Sequence, residues 1–218
     1  NSLPYSTVGY WNDATGVDSM QYAIAPFYNV ADGVNSLARV INPLRNTAIG
    51  YNAIGGQPTT IFIPATYIPV LQMTDNVAVG FNSMPSNRVD ANTAVGSQSM
   101  LSNAYGIHNT AIGYQSMRDN FGEPVIGLGS DNTAVGYMSG YDTVYGYENT
   151  CVGAFSYITE GFLSGGRAIK NTLVGARSYI NDGCYDVCIG DRANDFGFYD
   201  TIMGQGAQNY LDRLNGVN

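Results

Sequence analysis

The pentapeptide Asn92-Thr93-Ala94-Val95-Gly96 returns in near copies along most of the chain, and a unit repeated this often restricts the fold to one that stacks copies of itself. Clear copies begin at Asn46, Asn76, Asn109, Asn132, Asn149 and Asn171. Weaker ones begin at Asp186 and Asp200, and Ser6 to Gly9 reads as a degenerate first copy. A second half recurs behind the glycine, as Asn82-Ser83-Met84, Gln98-Ser99-Met100, Gln115-Ser116-Met117, Phe155-Ser156-Tyr157 and Arg177-Ser178-Tyr179.

Within the unit, β-branched Thr93 and Val95 alternate with Ala94 and Gly96, a period of two that argues a strand. So short a strand cannot stand alone and must pair with its neighbours. The leading Asn suits a turn, where its side chain bonds nearby backbone. From Gly50 to Gly204 the glycines of successive units lie 14 to 30 residues apart. The short steps are the bare coil of two extended segments; the long steps are coils carrying loops. The expected fold is all-β: a parallel β-roll or β-solenoid of about nine coils with loop insertions, spanning 46–206.

The two faces of each strand differ. The Thr/Val/Ile face would fill the inside of a coil. The Ala/Gly face permits close backbone approach, which suggests a seam between identical subunits around a threefold axis, through Ala48, Ala78, Ala94, Ala111, Ala134 and Cys151. The alternative is that small residues fit a cramped coil interior.

Only 12% of the 218 residues are charged, while 27 glycines and 17 tyrosines fit a turn-rich β structure with surfaces held against partners. A net charge of −8 and a pI near 4.3 leave no basic patch to displace counterions, which argues against nucleic acid. The most apolar run, Ile61 to Leu71, is interrupted by Pro64 and Pro69 and is too short to insert across a membrane. Cys151 and Cys188 occupy the Ala position in coils separated by the Leu173 coil, which places them about 9–10 Å apart, beyond disulfide reach. No metal-ligand spacing appears, and no cofactor is expected.

Outside the repeats, 1–45 reads as an N-terminal cap or attachment segment. In it Val34, Leu37, Ala38 and Ile41 have the spacing of a short helix that Asp32 would cap and Pro43 would stop. Residues 207–218 read as a C-terminal turn ending the rod. Insertions carry the candidate receptor or partner contacts: Phe62 and Tyr67 in an apolar hairpin near 55–75, Tyr141, Tyr145 and Tyr147 near 140–148, and Phe162 near 158–170. The hairpin equally suits a cover for the coil edge, and the tyrosines equally suit subunit seams. No enzyme is expected. His108 has no partner at catalytic spacing, and nucleophile-elbow, P-loop and dinucleotide signatures are absent. Glycan hydrolysis would require two of Glu123, Asp131, Asp142, Glu148 and Glu160 to face each other across a groove.

The NTAVG unit followed by Gln-Ser-Met resembles repeats of bacteriophage tail fibres and related virion proteins and, more distantly, the head repeats of trimeric autotransporter adhesins. The resemblance covers roughly 46–206. It implies a left-handed β-roll assembled as a homotrimer, located in the virion or otherwise on a bacterial surface. The expected function is that of a tail fibre or spike binding a host surface glycan or protein. The alternative is a structural virion component, a capsid decoration protein or fibre shaft, that holds neighbouring virion proteins. Phage proteins of this kind often carry a self-cleaving C-terminal chaperone, and an end at Asn218 is compatible with its removal. The long insertions and residues 1–45 depart from the regular adhesin pattern.

Overall fold

The computed structural model of the chain describes residues 9–23, 25–40, 42–55, 73–120, 129–141, 146–159, 168–181, 184–195 and 199–208. Its strands are β1 (Asp13–Thr15), β2 (Val30–Asp32), β3 (Thr47–Ile49), β4 (Val77–Val79), β5 (Thr93–Val95), β6 (Thr110–Ile112), β7 (Thr133–Val135), β8 (Thr150–Val152), β9 (Tyr157–Thr159), β10 (Thr172–Val174), β11 (Tyr179–Asn181), β12 (Val187–Ile189), β13 (Asn194–Asp195) and β14 (Thr201–Met203). Eleven of them form one sheet in the order β1-β2-β3-β4-β5-β6-β7-β8-β10-β12-β14, and β9, β11 and β13 form a second. All pairings are parallel and in register, so Ala78 lies opposite Ala94 and Ala94 opposite Ala111. A parallel sheet whose neighbours follow in chain order is a solenoid, and eleven strands at about 4.8 Å make a stack roughly 48 Å tall.

The stack begins well before residue 46. Asn12 to Gly16 (NDATG) and Asn29 to Gly33 (NVADG) are further units, with Asp13 paired to Val30 and Val30 to Thr47. The segment expected to form a cap with a helix contains no helix among its described residues. Residues 34–39 form a turn in which Asn35, Leu37 and Arg39 all have positive φ, and Asp32 belongs to β2. Of the residues with helical spacing, Leu37 and Ala38 are inward residues of a coil's return half, Val34 is exposed, and Ile41 lies outside the described residues.

That return half takes two forms. In β9, β11 and β13 it is extended, as expected. Elsewhere it is a chain of turns in which residues such as Gln98 (φ 57°) and Met100 (φ 47°) adopt the left-handed conformation. Met84, Met100 and Met117 thereby enter the core, where Ile158 and Ile180 stand in the extended coils.

The expected facing of the strands is reversed. Ala48, Ala78, Ala94 and Ala111 are fully buried inside their own chain, and Ala134 and Cys151 nearly so. They cannot form a seam between subunits. The coil is thin, and small residues in the strand centre leave room for the methionines opposite. Ser83, Ser99, Ser116 and Ser139, also buried, close the space by donating to the carbonyls of Ala94, Ala111, Ala134 and Cys151 in the next coil. The Thr, Val and Ile residues point outward instead. The repeat glycine is demanded by stacking as well as by its dihedral angle: at Gly96 (φ +137°) a Cβ would lie 2.3 Å from the carbonyl oxygen of Gly113.

Candidate functional site

The head residue of each unit is buried from Asn29 to Asp186 and half-buried at Asn12 and Asp200, and its side chain runs a continuous hydrogen-bonded ladder up the rod. The side-chain oxygen of each accepts the backbone N–H of the next, from Asn12 through Asn29, Asn46, Asn76, Asn92, Asn109, Asn132, Asn149, Asn171 and Asp186 to Asp200, at 2.9–3.0 Å. The amide nitrogen faces a backbone carbonyl in the neighbouring turn: Asn29 donates to Pro43, Asn46 to Met73, Asn109 to Gly129, Asn132 to Gly146 and Asn149 to Ala168. Asn satisfies both a donor and an acceptor at one position, which is why it recurs there. A shorter buried column of Asn87, Asn103 and Asn120 runs beside it.

The residue before each ladder position has positive φ and projects outward. These side chains pair up the edge of the rod. Trp11 stacks on Tyr28 at 4.9 Å, Arg45 bonds Asp75 at 2.6 Å, His108 meets Asp131 at 3.2 Å, Lys170 meets Glu148 at 3.5 Å, and Tyr185 stacks on Tyr199 at 5.0 Å. Arg45 holds the Asp75 carboxyl below its ordinary range through their hydrogen bond. His108 and two of the loop carboxylates singled out in the sequence, Asp131 and Glu148, therefore belong to this column. The partner of each carboxylate lies one coil away, His108 for Asp131 and Lys170 for Glu148, and the other three carboxylates lie outside the described residues.

Two apolar rows remain open. One is the outward end of the long sheet, with Ile49, Ile112, Val174, Ile189 and Met203 exposed. The other lies just beyond the glycines: Tyr51 stacks on Phe81 and Tyr114 on Tyr137, all four about half exposed. Because Ile49 and Tyr51, or Ile112 and Tyr114, flank the same glycine, the rows border each other along the rod. Of the expected contact residues, Tyr141 packs against the Arg118 guanidinium, 5.2 Å from its ring centre, and Tyr147 pairs with Ile169. Both are half-buried. Phe62, Tyr67, Tyr145 and Phe162 lie outside the described residues.

At the C-terminal end the ladder changes chemistry. Asp186 is fully buried, and its Oδ2 has no hydrogen-bond partner. Asp195, on β13, holds the register of Ile180 and is also fully buried. Carboxylate oxygens of Asp186, Asp195 and Asp200 lie within 4.8 Å of one another. Burial pushes Asp186 up to about 7, helped by the charges of Asp195 and Asp200 and opposed by the backbone N–H of Asp200, which bonds Oδ1, and by the nearby N–H of Tyr199, which donates to the Cys184 carbonyl. Burial likewise pushes the free thiols of Cys151 and Cys188 up to about 12, two strands apart in the sheet.

The sequence signal for this cluster was the change from Asn to Asp in the last two units. It was read as mere weakening of the repeat. Protein-family models and curated proteins give no match to the chain.

Proposed function

We propose that the chain forms the rod of a homotrimeric, left-handed β-roll in a bacteriophage tail fibre or spike, which adheres to a host surface glycan or protein. The paired apolar rows carry this reading. A coil that fills its own interior with Ala, Met and Ser has no internal use for exposed Ile49, Ile112, Tyr51 and Tyr114, and contiguous apolar surface of this kind marks an interface. Three copies joined through the β-branched row would hide it, leaving the tyrosines and the loop edge for the receptor. The resemblance of the NTAVG units to phage fibre and adhesin-head repeats supplies the virion setting. The low charge and the absence of any helix long and apolar enough to cross a membrane among the described residues accord with it.

The rows run along the side of the rod, not at its tip, and this favours a second reading: a structural virion component, shaft or capsid decoration, whose rows hold neighbouring proteins. The deciding experiment combines mass and binding. The purified chain should sediment at three times 23.3 kDa, and labelled trimer should coat cells of susceptible bacteria. A trimer that ignores cells and rebinds stripped capsids supports the second reading. A monomer overturns both.

A further inference from the structure

We propose that the last coils of the roll hold a hard divalent cation of the calcium class, bound by Asp186, Asp195 and Asp200. The ladder supplies the first ground. In the coils below, the second side-chain atom of the head residue is an amide nitrogen giving its proton to a carbonyl, as in Asn132 to Gly146 and Asn149 to Ala168. Asp186 keeps the ladder bond through Oδ1, which accepts the N–H of Asp200 at 2.9 Å. Its Oδ2 therefore stands where the repeat has a donor, fully buried and without a hydrogen-bond partner. An acceptor in a donor's place needs a positive charge to face.

The second ground is Asp195. Its strand β13 pairs with β11 so that Asp195 lies opposite Ile180, which lies opposite Ile158, both of them core residues. The chain thus turns a carboxylate into the coil at a position otherwise given to isoleucine. The third is spacing. Ligand oxygens about 2.4 Å from a common calcium ion lie at most about 4.8 Å apart, and those of the three aspartates lie within 4.8 Å of one another. The donor set is all oxygen, which suits calcium or magnesium over zinc or copper. Asp200 is half-buried and gives the site an edge toward solvent. Calcium is preferred to magnesium because it tolerates irregular carboxylate geometry and gives up its water more readily. Held there, the ion would tie the coil of Asp186 and Asp195 to the following coil, headed by Asp200.

The test uses the full chain after exhaustive chelation. Calorimetric titration with calcium chloride should show binding, with magnesium chloride weaker, and calcium should raise the unfolding midpoint. Asp186→Asn restores the amide of the ladder; it should lose both the calcium heat and the calcium-dependent shift, while unfolding in chelator at a higher temperature than the wild type. Asp195→Ile, which returns that register to its neighbours' residue, should lose calcium binding in the same way and serves if the first variant misfolds. The proposal is overturned if the wild type neither binds calcium nor gains stability from it, or if a folded variant of either kind responds to calcium as the wild type does.

Discussion

The side-chain oxygen of Asn92 accepts the backbone N–H of Asn109 at 2.9 Å, and Asn109 repeats the gesture to Asn132 at the same distance. Each buried amide thereby serves the backbone of the following coil, where a parallel stack of three-residue strands would otherwise turn sharply with its N–H groups unpaired. Asn109→Ala removes both arms at once. The Asn132 N–H loses its acceptor, and the Gly129 carbonyl loses the donor at 2.7 Å while keeping the one from Asn120 at 2.8 Å. Each buried group left unpaired costs about 1–3 kcal/mol. Urea unfolding should show a loss of about 2–3 kcal/mol, with the same expected of Asn132→Ala and much less of Gln98→Ala, whose half-buried side chain accepts one bond, from Gln115.

Gly96→Ala tests the stack from the other side. The new Cβ would meet the Gly113 carbonyl oxygen at 2.3 Å while φ stays near +137°, and both neighbours of that backbone are fixed by coils above and below. Relief requires parting β5 from β6. The expected outcome is a loss of about 4 kcal/mol or more, or no soluble protein, since the large destabilisations come from clashes of this kind. Gly204→Ala, whose φ of +127° is close to that of Gly96 and whose added Cβ would meet only the Ala207 Cβ at 3.9 Å, is the control for φ alone and should fold.

How much of this was legible beforehand depends on what each signal measured. The pentapeptides from Asn46 onward announced the stack, because a glycine forced by backbone approach and an asparagine forced by a double hydrogen-bonding duty both survive as letters in the sequence. Asn12-Asp13-Ala14-Thr15-Gly16 and Asn29-Val30-Ala31-Asp32-Gly33 carry the same two letters. Their outward residues, Asp13 and Asp32, break the apolar pattern that marks the other units, without disturbing the coil. The outward face never had to be apolar for folding. Hydrophobicity alone likewise inverts the two faces: it points the β-branched residues to the core, whereas the thin interior selects by volume and takes Ala94 and Met100. The edge pairs Arg45 with Asp75 and Glu148 with Lys170 could be found only once register was known, since the coils that hold them are 30 and 22 residues apart in the chain.

Asp186 makes stability depend on pH in the metal-free protein. Its carboxyl is raised from 3.8 to about 7 in the folded state, so between those values the folded chain holds a proton that the unfolded chain has released. Burial sets the sign, Asp195 and Asp200 add to it by repelling the charge, the backbone N–H groups of Asp200 and Tyr199 favour the charge and limit the shift, and Cys188 on β12 carries a thiol that stays protonated through this range. The contribution to stability is therefore complete below about pH 4 and is lost as pH rises through about 7. In chelator, thermal unfolding midpoints measured from pH 4 to 8 should fall across that window. Asp186→Asn should flatten the fall. An unchanged slope in that variant would mean that other carboxyls produce it.

The outward sheet face offers the sharpest check on assembly. Ile112 and Val174 are exposed on the free chain, at 41% and 36%, and their strands hold register through Ala111 and Leu173, which point the opposite way into the core. Lysines at both outward positions should thus leave the coil intact. A charge introduced on a solvated strand face costs little, but the same charge pressed into an interface of copies costs its hydration and repels its two symmetry mates. The double variant Ile112→Lys, Val174→Lys should keep the wild-type β circular dichroism while its sedimenting mass falls from three chains toward one. Tyr114→Ser on the neighbouring aromatic row should keep the trimer and weaken attachment to cells or capsids. If instead the lysine variant stays trimeric and the tyrosine variant dissociates, the seam between copies runs along the aromatic row, and the β-branched row is the surface left for a partner.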